Sequence, residues 1–375
     1  MEKIKILFLL ENLNSGGAER VLVNLVNNMN PERFEITVMT LFAEGVHFHA
    51  LRPHVRKICK RARFFHGISY ALRFFTSRAL YRHYVGDDSY DVVVGYMTGI
   101  PTKIAAGAIR SKRIGWLHGN MHYVIPSQKL YWGRTHLRRT YERFDGVFGC
   151  ADTVTKSFTE QIGASCRHLQ TVYNVNDTDR ILSQAKEQLS LPFTPDGQTP
   201  IFCTMGTLAP VKGFERLIRS CGKLVAEGHV FRLLILGDGP LRRDLEAQIS
   251  ALGLSDTVYL LGFHANPYPY LAASDVFVCS SFSEGLSTAV SEAIILGCAV
   301  ISTDVSGAKE ILGADNDYGR VIPNSEDAIC TELRSFLKER EQIAYYREKA
   351  NERAAFFATE RLISCNETAI LTVME

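Results

Sequence analysis

The chain repeats one pattern along its length: a short apolar run rich in β-branched residues, a turn that often contains glycine, and then apolar residues at helical spacing. Short runs of this composition predict buried strands, and the spacing after them predicts helices. The predicted strands lie at residues 4–10, 34–40, 91–96, 113–120, 146–151, 201–205, 231–236, 258–263, 275–279 and 299–304. Alternation of this kind predicts an α/β fold with a doubly wound parallel sheet in each half.

Length and charge divide the chain into two parts. Its 375 residues exceed what one hydrophobic core usually supports. A polar, proline-containing stretch at residues 191–200 has no periodic element. Residues 1–176 hold 24 Lys and Arg against 13 Asp and Glu, whereas the remainder holds 18 against 27. We therefore expect one domain over residues 1–176 and a second from residue 177.

Cysteine usage and the N-terminus indicate a cytoplasmic protein. The nine cysteines are scattered and include no C-x-x-C pair, which disfavours a metal site or a disulfide framework and favours a reducing compartment. The apolar run at residues 4–10 is short, ends at Glu11 and lacks a cleavage site, so it predicts a strand rather than a signal peptide. No stretch reaches the length of a membrane-spanning helix.

A basic segment lies in the first half. Residues 45–86 contain nine Lys and Arg and no Asp or Glu, interleaved with Phe and Tyr. Basic and aromatic residues mixed in this way suit the surface of an anionic bilayer. Nucleic acid is the rival partner, and an ordinary solvated helix face is the third interpretation. We favour peripheral contact with an anionic membrane through residues 52–82 and expect no nucleic-acid partner.

The stretch SEGLSTAVSEA at residues 283–293 predicts a ligand site between a strand and a helix. Gly285 allows close approach of backbone to a ligand, and the first amides of a helix that begins near Leu286 favour an anion such as phosphate. Glu284 would lie at the start of the helix and Glu292 about two turns inside it, roughly 9 Å along the axis. That separation suits a ligand with hydroxyls at both ends and a diphosphate between them. Taken singly, each glutamate also fits an ordinary helix residue.

This stretch resembles the E-x7-E motif of retaining glycosyltransferases with the GT-B fold, and the following GCAVISTD and SGAKE segments continue the likeness. The resemblance implies two Rossmann-like domains facing across a cleft, 1–176 and 177–354, with the C-terminal helix at about 355–375 packing back on the first. It implies that Glu284 faces the donor sugar and that Glu292 binds the ribose. Gly285, Leu286 and Ser287 would complete the donor site, and Glu310 matches the acidic residue that ends a G-G-x-x-E segment.

Three further segments share the resemblance. SGGAER at residues 15–20 places Gly16 and Gly17 in a loop that faces the donor and the acceptor, with Glu19 on the acceptor side. His118 matches a histidine beside the scissile bond. Phe263 would lie near the base, although the residues themselves do not distinguish uracil from guanine.

The loop at residues 206–214 departs from the family pattern. Lys212 matches the lysine of G-R-L-x-x-x-K-G that contacts the donor phosphates, but Thr207 stands where that motif has arginine. Because a hydroxyl cannot replace a bidentate guanidinium, diphosphate binding would depend on Lys212 and the amides near Gly285. No D-x-D motif suited to a metal is present, as in metal-independent members.

The sequence therefore predicts a cytoplasmic, retaining, metal-independent glycosyltransferase that needs no cofactor beyond its nucleotide-sugar donor. Its expected catalytic residues are His118, Lys212 and Glu284. The donor would be a nucleoside-diphosphate sugar, with UDP preferred, and the acceptor a hydroxyl of a glycan or lipid-linked glycan in cell-surface polysaccharide biosynthesis. A GT-B sugar-nucleotide epimerase and an inactive sugar-nucleotide-binding homologue are the alternatives.

Overall fold

A computed structural model describes residues 2–14, 16–86, 89–125 and 129–375. The chain forms two compact units. The first comprises Met1–Val175 and Thr359–Glu375, and the second comprises Asn176–Ala358.

The first unit alternates strands and helices from its first strand onward, and its final helix comes from the C-terminus of the chain. In chain order its elements are β1 (Ile4–Leu10), α1 (Gly17–Asn28), β2 (Phe34–Thr40), β3 (Arg56–Cys59), α2 (Ile68–Leu72), α3 (Ser77–Tyr84), β4 (Val92–Gly95), α4 (Ile100–Ala105), β5 (Lys112–Leu117), α5 (Met121–Val124), α6 (Arg134–Tyr141), β6 (Gly146–Gly149), α7 (Asp152–Gln161), β7 (His168–Thr171) and, after the second unit, α16 (Thr359–Met374). A 3-10 turn at Phe48–Ala50 lies between β2 and β3.

Within the described residues the first unit has a seven-stranded sheet in the order β3-β2-β1-β4-β5-β6-β7, and every pairing is parallel. Strand β1 lies inside the sheet, and its residues from Ile6 to Leu10 are fully buried. It pairs with β2 on one side and β4 on the other, so the strand order reverses there. Open α/β sheets bind ligands at the carboxyl ends of strands beside such a reversal.

The second unit repeats the alternation. Its elements are α8 (Thr178–Gln184), β8 (Ile201–Met205), α9 (Phe214–Ala226), β9 (Arg232–Leu236), α10 (Arg242–Ala251), β10 (Val258–Gly262), α11 (Tyr268–Ala272), β11 (Val276–Cys279), α12 (Thr288–Ile295), β12 (Ala299–Thr303), α13 (Ala308–Leu312), β13 (Arg320–Ile322), α14 (Glu326–Lys338) and α15 (Glu341–Ala354). Two 3-10 turns lie at Pro210–Lys212 and Ala355–Phe357.

The second sheet, in the part of the chain that the structure describes, has six parallel strands in the order β10-β9-β8-β11-β12-β13. Its order reverses between β8 and β11. Buried side chains of α9 and α14 pack with those of the strands in one apolar core. The loops that leave β8 and β11 therefore begin side by side at the carboxyl edge of the sheet.

The predicted fold class is confirmed, since each half carries a parallel sheet with strands at the predicted runs. Three strands were not predicted, and all of them lie at sheet edges: β3, β7 and β13. Helix α8 was not predicted either. The helix after Gly285 begins at Thr288, two residues later than expected, because the side chain of Ser287 caps it by accepting from the Val290 amide. Among the described residues, no helix combines the length and the apolar composition that crossing a membrane requires.

Candidate active site

The loop after β8 holds Lys212 against the end of β11. Gly213 has φ +64°, and a Cβ there would lie 2.3 Å from the Ser280 carbonyl oxygen, so a side chain would not fit without moving backbone. The Ser280 hydroxyl donates to the Lys212 carbonyl at 3.0 Å. This glycine contact places Lys212 directly beside the loop that leaves β11.

Lys212 and Glu284, 72 residues apart in the chain, form an ion pair. Lys212 Nζ lies 2.7 Å from Glu284 Oε1, and the two side chains are 26% and 13% exposed. The Ser281 hydroxyl donates to the same carboxylate oxygen at 2.6 Å. Burial alone would lower the pKa of Lys212, but the Glu284 carboxylate outweighs it and raises that pKa. The ammonium is therefore charged at neutral pH, and both bonds fall on Oε1, which leaves lone pairs of Oε2 for a ligand hydroxyl.

Arg216 fixes the loop that carries Glu284. Its side chain is almost fully buried, and its Nε and Nη2 donate to the Ser280 carbonyl at 3.0 and 2.6 Å. Nη2 also donates to the Ser281 carbonyl at 2.9 Å and to Asn324 Oδ1 at 2.7 Å. The guanidinium lies 3.8 Å from the centre of the Phe282 ring. Sequence reasoning missed this residue, for which the available signal was an arginine between the apolar Phe214 and Leu217 of one helix.

Glu292 is held inside α12. It is 4% exposed, and the hydroxyl of Tyr268, itself fully buried, donates to Glu292 Oε1 at 3.0 Å. Because α12 begins at Thr288, Glu292 lies about one turn inside the helix, not two as predicted. The predicted depth of Glu292 in the helix is therefore wrong by about one turn.

The residues around Glu284 adopt a loop rather than the first helical turn. Leu286 is buried, and Ser287 is the cap residue. Gly307, at φ +77°, packs against this loop, since a Cβ there would lie 3.0 Å from the Gly285 carbonyl oxygen. Glu310, in α13, accepts a hydrogen bond from Arg353 Nη2 at its carbonyl, 2.6 Å away.

A small cavity lies at the carboxyl ends of β8 and β11. Its lining includes Met205, Lys212, Ser281, Glu284 and Ser287. Of the predicted donor-site residues, the structure thus brings Lys212, Glu284 and Ser287 to one cavity.

The other donor-site candidates of the second unit lie beyond that lining: Gly285, Leu286, Glu292, Thr207 and Phe263. Thr207 is exposed in the loop after β8. Phe263, which follows β10, is 65% exposed. Both follow strands of the same parallel sheet, so they lie at its carboxyl edge.

The glycine loop of the first unit sits at the start of α1. Gly16 is the cap residue of this helix, and Gly17 is exposed. A Cβ on Gly16 would lie 2.2 Å from Glu19 Oε2, so the carboxylate folds back over the loop. Burial raises the pKa of Glu19, and burial together with the nearby Glu19 charge raises the pKa of Glu11. Ser15 of the same motif lies outside the described residues.

His118 follows β5, in the first unit, within an aromatic cluster. Its ring lies 4.5 Å from that of Tyr96 and is nearly parallel to that of Trp116 at 6.4 Å, centre to centre. Neither ring nitrogen has a partner at ordinary hydrogen-bond geometry among the described residues. Burial lowers the pKa of His118 to about 3. The imidazole is therefore neutral at physiological pH and can donate one hydrogen bond and accept another.

This lowered pKa predicts an acid-sensitive contribution of His118 to stability. The unfolded chain takes up a proton near pH 6.5 and the folded chain resists it down to about pH 3, so stability falls as pH drops through that window. The expected slope is up to about 1.4 kcal/mol per pH unit. The free energy of unfolding is measured in urea at pH 7, 6 and 5. It should fall less steeply with decreasing pH in His118→Gln than in the wild type. His122→Gln, at an exposed histidine four residues away, is the control, and equal slopes in all three proteins would contradict the prediction.

The described residues contain no group of three or more His, Cys, Asp and Glu side chains that could hold a metal ion.

Comparison with protein families accounts for both halves of the chain. Residues 15–180 match the family model described as Glycosyltransferase Family 4, and residues 186–353 match the one described as Glycosyl transferases group 1.

Two enzymes of Campylobacter jejuni are similar to most of the chain. N-acetylgalactosamine-N,N'-diacetylbacillosaminyl-diphospho-undecaprenol 4-alpha-N-acetylgalactosaminyltransferase is 26% identical over 271 residues, which are 72% of this chain and 70% of that enzyme. GalNAc-alpha-(1->4)-GalNAc-alpha-(1->3)-diNAcBac-PP-undecaprenol alpha-1,4-N-acetyl-D-galactosaminyltransferase is 27% identical over 346 residues, 90% of this chain and 89% of that enzyme. Among solved structures, Anabaena HepE in complex with UDP and glucose has a TM-score of 0.73 at 20% identity and covers 99% of both chains.

Proposed function

Because the chain belongs to the group 1 glycosyltransferases of the GT-B fold, we propose that it transfers a sugar from a UDP-sugar to a hydroxyl with retention of anomeric configuration. The observation that carries this proposal is the Lys212–Glu284 ion pair at the strand-order reversal of the second sheet. A cation and a carboxylate with free acceptor capacity at such an edge suit a ligand that has both phosphates and sugar hydroxyls.

The proposed chemistry assigns Lys212 to the diphosphate leaving group. As the bond between the anomeric carbon and the phosphate oxygen breaks, negative charge grows on the diphosphate, and a fixed ammonium stabilises it. The acceptor oxygen attacks from the same face and its proton passes to the departing phosphate oxygen, so no protein nucleophile and no metal is needed. Glu284 Oε2 would accept a hydrogen bond from a hydroxyl of the transferred sugar.

The remaining candidates would bind and position the substrates. Glu292 would accept hydrogen bonds from the ribose hydroxyls. The exposed Phe263 ring would lie near the base. The loop from Gly285 to Ser287 would supply amides to the phosphates, in place of the guanidinium that Thr207 lacks. Neutral His118 would donate to or accept from a sugar hydroxyl near the reacting carbon.

The acceptor is proposed from the chemistry in the names of the relatives. Both Campylobacter enzymes are named for acceptors linked through a diphosphate to undecaprenol. We infer that this chain also glycosylates a lipid-linked glycan, on the cytoplasmic side of a membrane, in the assembly of a cell-surface polysaccharide.

The stereochemistry provides the test. Purified protein is incubated with an α-linked UDP-sugar and a short-chain polyprenyl diphosphate glycan, in chelator, and the new glycosidic linkage is examined by proton NMR. The proposal predicts a product with an α-anomeric coupling. A β-linked product, or transfer only after a divalent metal is added, would overturn the retaining, metal-independent assignment.

A further inference from the structure

The first unit carries a cluster of exposed aromatic side chains that its own core does not use. Tyr70, Phe74, Phe75 and Trp132 are 49%, 72%, 54% and 57% exposed. Together with Arg73 they form a surface that we name the aromatic platform. Most large aromatic residues of a soluble domain are buried, so an exposed group of this size marks an interaction surface.

The platform joins two segments that are far apart in the chain. The Arg73 guanidinium lies 4.2 Å from the centre of the Trp132 ring and 5.4 Å from that of Tyr70. The Phe74 ring meets that of Trp132 edge to face at 5.2 Å. Trp132 thus adds an aromatic residue that lies outside the basic segment recognised in the sequence.

Buried polar contacts hold the two segments together beneath the rings. Lys103 of α4 is fully buried, and its Nζ donates to the Leu72 carbonyl at 3.0 Å and to the Leu130 carbonyl at 3.4 Å. Arg73 Nη2 donates to the Tyr131 carbonyl at 2.7 Å. Because these bonds fix the backbone on both sides, docking of the platform requires little additional ordering.

The charge of both segments has one sign. Residues 45–86 contain nine Lys and Arg, residues 92–141 contain eight, and neither range contains Asp or Glu. Arg63, Arg78 and Arg134 are among the exposed ones. The first part of residues 52–82 is not included in the platform. Arg56–Cys59 forms the edge strand β3, and Arg61 forms an ion pair with Glu44 at 2.7 Å. The aromatic and basic residues therefore coincide at residues 63–82 and around Trp132.

We propose that the aromatic platform docks on the surface of an anionic bilayer. Trp, Tyr and Phe partition into the interfacial region, and surrounding Lys and Arg gain from anionic headgroups, about 1 kcal/mol for each residue near the surface. Arg73 already contacts the Tyr70 and Trp132 rings and the Tyr131 carbonyl, so it holds the platform in place. The exposed Lys and Arg around it would bind the headgroups. The docking surface goes beyond the proposed transfer reaction, because vesicle binding requires neither donor nor acceptor.

The test is flotation of the full-length protein with vesicles of phosphatidylcholine alone and of phosphatidylcholine mixed with phosphatidylglycerol. We expect binding to the anionic vesicles only, lowered at least about tenfold in Trp132→Ser/Phe74→Ser. Arg78→Gln should weaken binding about fivefold, which is the effect of one basic residue near the surface. The matched control is Val230→Ser/Tyr345→Ser, which removes two exposed apolar side chains from the second unit.

Two outcomes would overturn the proposal. The first is equal binding to neutral and anionic vesicles, or none to either. The second is anionic binding that the Trp132/Phe74 variant retains. If vesicle binding is absent and a single-stranded oligonucleotide binds in a platform-dependent way, the surface would be assigned to nucleic acid. Donor hydrolysis by each variant shows separately whether the transfer proposal stands.

Discussion

Replacing Arg216 with Met is expected to destabilise the second unit by about 3 kcal/mol or more. The substitution removes the guanidinium that satisfies the Ser280 and Ser281 carbonyls and the Asn324 side chain. Each buried acceptor left without a donor costs about 1–3 kcal/mol. Because these bonds fix the backbone that carries Glu284, the rate of transfer should fall together with stability.

The control for this substitution lies on the same helix. Arg219 also forms a charged hydrogen bond, 2.7 Å to Glu326, but its side chain is half exposed. Arg219→Met should therefore cost no more than about 1 kcal/mol. Urea unfolding followed by circular dichroism measures the loss of stability. Hydrogen exchange of residues 276–282 shows whether the loss lies in the second unit, which tryptophan fluorescence would not report because both tryptophans lie in the first unit. Equal losses in the two variants would contradict the role assigned to Arg216.

Replacing Lys212 with Met is expected to lower the rate of sugar transfer by roughly 100- to 1000-fold, the usual effect of removing one fixed donor to developing charge. Glu284→Gln keeps the shape of the side chain but removes its charge, and should also lower the rate. The two effects should not add, because the side chains contact each other at 2.7 Å.

A double-mutant cycle of Lys212→Met and Glu284→Gln measures that coupling through steady-state rates and thermal unfolding. Lys349→Met is the matched control, because Lys349 forms an ion pair of 2.8 Å with Glu352 on α15. This control should keep the wild-type rate. A Lys212→Met enzyme as fast as the Lys349→Met enzyme would exclude Lys212 from the chemistry.

Most strands that the sequence predicted have apolar runs buried on both faces; the edge strand β10, most of whose residues are only half-buried, is an exception. β1 and β11 are examples. A parallel strand inside a sheet is covered by apolar side chains on both faces, so its own sequence is a continuous apolar run that can be recognised directly. β3 escaped prediction because its sequence, RKIC, has two exposed basic residues. It is a strand because the edge of β2 offers it a partner, which is a tertiary effect.

The same distinction applies to the site. Glu284 and Lys212 were each predicted from a local motif, whereas their contact depends on the adjacency of β8 and β11 in the sheet. Arg216 and Tyr268 act through buried hydrogen bonds to residues far away in the chain, so the local sequence does not show which groups they bind. The start of α12 was misjudged by two residues because Leu286 fits the helical apolar spacing, while the capping side chain is that of Ser287.

The most direct test of the proposed function is to measure the release of nucleoside diphosphate from a panel of UDP-, GDP- and ADP-sugars, without acceptor and with chelator present. The proposed site should let water replace the acceptor slowly. We therefore predict slow release from one UDP-sugar by the wild type and by Lys349→Met, and release at least about 100-fold slower by Lys212→Met. Release from no donor, together with no heat of UDP binding in calorimetry, would contradict the proposed function and would mean that Thr207 marks a lost donor site.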